Sequence, residues 1–120
     1  KIAIFGLAFK PETDDVREAP SLYFVPKLQE MKAKLRAWDP VAEEKFKEFH
    51  PELECVKDLY ECAKDADLVL ILTEWDAVKK IDLKKLKSVM ACPVVVDGRN
   101  IFKPEDIRAA GFTYHSVGRD

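Results

Sequence analysis

Two cations seven residues apart, Lys10 and Arg17, stand in the polar stretch Gly6-Leu7-Ala8-Phe9-Lys10-Pro11-Glu12-Thr13-Asp14-Asp15-Val16-Arg17-Glu18. A third cation, Arg99, closes Val94-Val95-Val96-Asp97-Gly98-Arg99. Both stretches leave apolar runs that read as strands, and loops at the carboxyl ends of strands in open α/β sheets are where anions bind. Arginine offers a planar fork for a phosphate or a pyrimidine carbonyl, lysine a mobile point charge. Arg17 comes just before Ala19-Pro20-Ser21-Leu22, where Pro20 and Ser21 signal a helix start. The helix dipole disfavours a cation there by up to ~1 kcal/mol. Arg17 therefore either rests on Asp14, Asp15 or Glu18 or is held for an external anion.

Thr73-Glu74-Trp75-Asp76 forms a third polar group after a strand, so three strand ends could converge on one crevice. Asp97-Gly98 is a pair common in hairpin turns, but a helix signal follows it. Gly98 thus lets the backbone approach a ligand or turn sharply. Asp39, in Trp38-Asp39-Pro40, occupies the place of the ribose-binding acid of dinucleotide folds. Gly6 opens neither G-x-G-x-x-G nor G-K-[ST], so a turn-forming Asp-Pro competes with that reading and no autonomous nucleotide fingerprint is present. Cys55, Cys62 and Cys92 show no C-x-x-C spacing and lie in or near apolar segments, which predicts buried, reduced thiols. None has a histidine or glycine-rich helix start beside it to favour a thiolate. His50 and His115 are isolated, which leaves no metal constellation. The chain holds binding groups without a reaction centre.

The elements that must position these groups follow from periodicity. Ile2–Phe5 is apolar without alternation, as a strand covered on both faces would be, and Pro11 places Lys10 at or just beyond the sheet's carboxyl edge. Leu22, Val25, Leu28 and Met31 predict a helix from about Pro20 to Ala33, with Pro26 kinking it unless the helix starts later. Leu35–Trp38 reads as a strand, Glu43–Phe49 as a short helix, and Cys55 and Val56 as a short strand. Asp58 caps a helix through Ala63. Leu68–Leu72 is the strongest strand signal, with Thr73–Asp76 as its exit loop. A helix over Leu83–Met90, a strand over Pro93–Val96, a helix opened by Pro104 and an edge strand over Phe112–Val117 complete the chain. Strands alternating with helices predict a single Rossmann-like, doubly wound three-layer α/β domain with a mainly parallel sheet of about five or six strands.

The 120 residues, 48% hydrophobic, suffice for one domain with a real core. Twenty basic against 22 acidic residues leave a formal charge of −2 and no dominant basic face, which argues against nucleic acid as a partner. Lys79, Lys80, Lys84, Lys85 and Lys87 alternate with apolar residues at helical spacing and read as a solvated helix face. No apolar run approaches the ~20 residues that span a bilayer, nor is there a signal-peptide pattern, so a soluble, cytoplasmic protein is expected. The chain starts at Lys1 with a strand already under way, and reads as a piece of something longer.

Taken together, Gly6-Leu7-Ala8-Phe9-Lys10-Pro11, Thr13-Asp14-Asp15-Val16-Arg17-Glu18, Pro20-Ser21, Trp38-Asp39-Pro40, Ile71-Leu72-Thr73-Glu74-Trp75 and Val96-Asp97-Gly98-Arg99-Asn100 resemble the carboxyl-terminal domain of UDP-glucose 6-dehydrogenases, from end to end. The resemblance implies that residues 1–120 are a UDP-sugar-binding domain, with an NAD-binding amino-terminal domain and a central dimerisation helix outside the sequence. It implies oxidation of UDP-glucose to UDP-glucuronate with two NAD through a thiohemiacetal and thioester on a cysteine of the first half. Phe9 and Lys10 match the Phe-Lys that contacts the UDP-sugar, Arg99 the arginine that also holds it, and Arg17 the arginine that reaches the NAD pyrophosphate. The glycine-rich motif of the catalytic cysteine is missing, so no residue here inherits a catalytic role and the chain alone is expected to be inactive. Ala19 replaces a common serine.

GDP-mannose and UDP-N-acetylhexosamine dehydrogenases share the scaffold and stand as alternatives for the sugar. Outside the family, a receiver-like signalling module would use strand-end carboxylates for magnesium and a phospho-acceptor, but the strong strand ends in Thr73-Glu74. A bare interaction domain with solvated strand ends is the third alternative.

Overall fold

A computed structural model describes residues 1–8 and 20–116. Six short strands form, β1 (Ile2–Phe5), β2 (Leu35–Trp38), β3 (Glu54–Cys55), β4 (Leu68–Ile71), β5 (Val94–Asp97) and β6 (Thr113–Ser116). They alternate with helices α1 (Pro20–Glu30), α2 (Glu43–Phe49), α3 (Leu59–Ala63), α4 (Asp76–Lys79), α5 (Leu83–Val89) and α6 (Pro104–Ala109). Every strand pair is parallel, in the order β3-β2-β1-β4-β5-β6. The connections run one way from β1 and the other way from β4, so the order reverses between these two strands, the place where open α/β sheets bind ligands.

Side chains two apart share a face of a strand. On one face Ile4, Ala37, Leu70 and Val96 meet Val25 of α1 and Phe46 of α2. On the other, Phe5, Trp38, Ile71, Val95 and Tyr114 meet Leu59, Cys62, Val78, Leu86 and Ile107 from the remaining helices. Right-handed crossovers divide the helices in this way, and the three-layer doubly wound domain expected from the sequence results.

Local chemistry sets the element ends. Asp58 accepts the Glu61 N–H at 2.9 Å and caps α3, and Asp82 accepts from Lys84 and Lys85 to start α5. Helix α1 stops at Glu30, three residues short of the sequence reading. Lys32 takes a left-handed φ of 63°, and the Ala33 N–H turns back to the Leu28 carbonyl at 3.0 Å, the hydrogen-bond pattern that closes a helix. Pro26 stays inside α1 at the cost of one backbone donor. The single turn α4 was not expected; four residues are too few to show periodicity.

Gly6 lets β1 turn out of the sheet. Its φ is +99°, and a Cβ there would lie 2.4 Å from both Cβ and Oγ1 of Thr73. Its N–H meanwhile donates to the Trp38 carbonyl at 2.7 Å. Strain and overpacking each cost on the order of 1–3 kcal/mol, so Gly6→Ala should lower stability by at least about 2 kcal/mol, read as a shifted urea midpoint at unchanged slope.

Candidate functional site at the carboxyl edge of the sheet

The loop leaving β1 is held from three directions. Asp39, at the end of β2 and fully buried, accepts the Leu7 and Ala8 N–H groups on Oδ2 at 2.8 and 3.1 Å. Ser21, at the start of α1, donates to the Leu7 carbonyl at 2.6 Å. Thr73, just past β4, donates to the Ala8 carbonyl at 2.7 Å. The polypeptide is thus pinned up to Ala8, the last described residue before Phe9.

Asp39 does more than hold this loop. Its Oδ1 accepts the Val41 and Ala42 N–H groups at 2.9 and 2.8 Å, and the Trp75 indole N–H reaches Oδ2 at 3.3 Å. With five donors on it and no exposure, Asp39 has no carboxylate lone pair to offer a ribose. The Asp-Pro turn reading holds. A groove of about 280 Å³ beside it is lined by Pro40, Val41, Glu43, Glu44 and Lys57.

Strands β4 and β5 stay zipped past their ends, since the Gly98 N–H donates to the Ile71 carbonyl at 2.9 Å. A Cβ on Gly98 would lie 2.9 Å from that same oxygen, so the close approach that this glycine permits is to the neighbouring strand. Asp97, fully buried, accepts the Arg99 N–H on Oδ1 at 2.9 Å. Its Oδ2 accepts from Ile101, Phe102 and the Tyr114 hydroxyl. The backbone of Arg99 is therefore fixed. Its guanidinium Nη2 meets Glu74 Oε1 at 2.7 Å, with both side chains partly exposed. Two of the three predicted polar groups do come together, the Thr73-Glu74 segment and Arg99. Phe9, Lys10 and Arg17 lie outside the described residues.

The thiols divide. Cys62 is buried, and burial pushes its pKa well up, with the Arg36 charge opposing. Cys55 is half-buried and pushed up to about 11, first by burial and then by the nearby Glu43 carboxylate. Cys92, expected to be buried, is exposed: it sits in the turn between α5 and β5, where the chain crosses the surface. Among the described residues no three His, Cys, Asp or Glu side chains are placed to hold a metal ion, and no helix is long and apolar enough to cross a membrane. Of the strand-end carboxylates, Asp39 and Asp97 are taken up by internal donors and Glu74 by Arg99, while Asp14 and Asp15 lie outside the described residues.

Residues 3–104 match the model of the UDP-glucose/GDP-mannose dehydrogenase family, UDP binding domain. The chain belongs to this family. Over 119 residues it is 45% identical to the UDP-glucose 6-dehydrogenase TuaD of Bacillus subtilis, covering 98% of this chain and 26% of that protein. It is 41% identical to the UDP-glucose 6-dehydrogenase of Rhizobium meliloti, covering 99% and 27%. Among solved structures, a UDP-glucose dehydrogenase from Pyrobaculum islandicum superposes with a TM-score of 0.80 at 31% identity, over 99% of this chain and 25% of that one. An NDP-N-acetyl-D-galactosaminuronic acid dehydrogenase from Methanosarcina mazei Go1 gives 0.85 at 29%, over 99% and 24%. The chain thus spans about a quarter of the length of these family members.

Sequence reasoning placed Asp39 at a turn but missed its reach to Leu7, Ala8 and Trp75, and gave Glu74 no role. A carboxylate three residues past a strand carries no pattern that names its partner, here 25 residues away. Two tests follow. Asp39→Asn replaces one acceptor oxygen with an NH2 facing donors, and hydrogen bonds to a charged group are worth ~1.5–3 kcal/mol each. The variant should lose on the order of 3 kcal/mol in urea unfolding. The raised thiol of Cys55 stabilises the fold below its ordinary pKa of 9.0, and that contribution is lost as pH rises toward about 11. Wild type should therefore lose more stability than Cys55→Ala between pH 9 and 11, as the two urea midpoints measured across that range will show.

Proposed function

We propose that this chain is the UDP-holding domain of an NAD-dependent UDP-glucose 6-dehydrogenase that oxidises UDP-glucose to UDP-glucuronate with two NAD. The observation that carries the reading is Arg99. It stands beside the switch point with its backbone fixed by Asp97, within a stretch that matches the family's UDP binding domain. Its guanidinium would engage the UDP part of the substrate, with Phe9 and Lys10 from the loop after β1 contacting the same molecule. Arg17 would reach the NAD pyrophosphate across the cleft.

The remaining chemistry belongs to polypeptide outside these residues. NAD would be held mainly by an amino-terminal domain, and a cysteine there would carry the covalent steps. A central helix would make a cytoplasmic homodimer. Burial raises the thiols of Cys55 and Cys62, which argues against either as the nucleophile, and the chain alone would be inactive. UDP-glucose as the sugar is supported by the relatives at 41–45% identity, which are UDP-glucose 6-dehydrogenases.

Calorimetric titration of UDP into the wild type and Arg99→Ala tests the assignment. Loss of a charged hydrogen bond should weaken binding about tenfold or more. Equal affinities would remove Arg99 from the site.

A further inference from the structure

We propose that Glu74 is a positioning residue for the anion site, holding the Arg99 guanidinium by one nitrogen so that its other N–H groups remain for a diphosphate. This rests on the reading of Arg99 as a ligand of UDP.

The geometry supports it in three steps. First, Glu74 is itself held. Thr73 before it is fully buried and bonded to the Ala8 carbonyl, and Trp75 after it is buried with its indole on Asp39. Its backbone is therefore fixed between the pinned loop of β1 and the end of β5. Second, the contact uses a single prong, Nη2 to Oε1 at 2.7 Å, rather than the two parallel bonds of a fork-to-fork pair. Among the described residues no other acceptor engages the guanidinium, so Nε and Nη1 keep their donors. Third, Arg99 is tied at both ends, by Asp97 at its backbone and by Glu74 at its tip. A free arginine side chain loses rotamer entropy when a ligand immobilises it; one already held loses less, which is how preorganisation raises affinity.

A carboxylate beside an anion site also repels the anion, so the two effects oppose one another and can be separated. Glu74→Gln keeps an acceptor oxygen of the same reach but removes the charge. Glu74→Ala removes both.

The experiment is UDP titration on the longest natural polypeptide that contains this chain, with circular dichroism to confirm folding of each variant. E74A should bind about tenfold more weakly, while E74Q stays within about threefold of wild type. E74A should have no further effect in an Arg99→Ala background, as coupled residues require. If E74A does not fold, E74D, which retracts the carboxylate by one methylene, carries the same expectation of weaker binding against E74Q. Wild-type or tighter binding in E74A, with Arg99→Ala weakened, would overturn the role of Glu74 and leave the UDP reading standing. Unchanged binding in Arg99→Ala would overturn both.

Discussion

The buried carboxylate of Asp39 is the constraint on which the carboxyl edge of this sheet depends. Burying a charge costs several kcal/mol unless hydrogen bonds replace its water. Here five N–H donors do so, drawn from the loop after β1, the turn into α2 and the segment after β4. Those donors would otherwise be unpaired at the points where three strands leave the sheet. One side chain thereby fixes the relative position of three loops. Dinucleotide folds use an acid at this place to read a ribose, and here the same position has become structural.

A second buried acid repeats the arrangement on the other half of the sheet. Asp97 gathers the N–H groups of Arg99, Ile101 and Phe102 and the hydroxyl of Tyr114. Arg99 thus leaves a rigid point, and its charge meets Glu74 at the rim. Two anchored carboxylates beneath a partly exposed ion pair fix the backbone from which the Arg99–Glu74 pair projects.

Much of this was legible in the sequence because it depends on pattern. Unbroken apolar runs located the central strands β1, β4 and β5 and alternation the edge strand β6, Asp58 announced its cap, and Arg99 after Asp-Gly stood out as a cation at a strand end. What was not legible depends on distance along the chain. Nothing at Asp39 signals a bond to Trp75, 36 residues on, and nothing in Asp-Gly tells a ligand from the Ile71 carbonyl as the group that glycine admits. The end of α1 eluded periodicity because Lys32, a residue with no particular taste for left-handed backbone, supplies the stop. Cys92 was misplaced because apolar neighbours in sequence did not mean apolar neighbours in space.

The Tyr114 hydroxyl on Asp97 bears on how much polypeptide the unit needs. The family match ends at residue 104, yet the 2.7 Å bond to Asp97 Oδ2 comes from ten residues later, on edge strand β6. A version trimmed to the matched segment would keep Arg99 in its sequence and strip the second buried acid of its hydroxyl donor. The outermost strand is therefore a brace for the cation that leaves its immediate neighbour β5, and not merely the sheet's border.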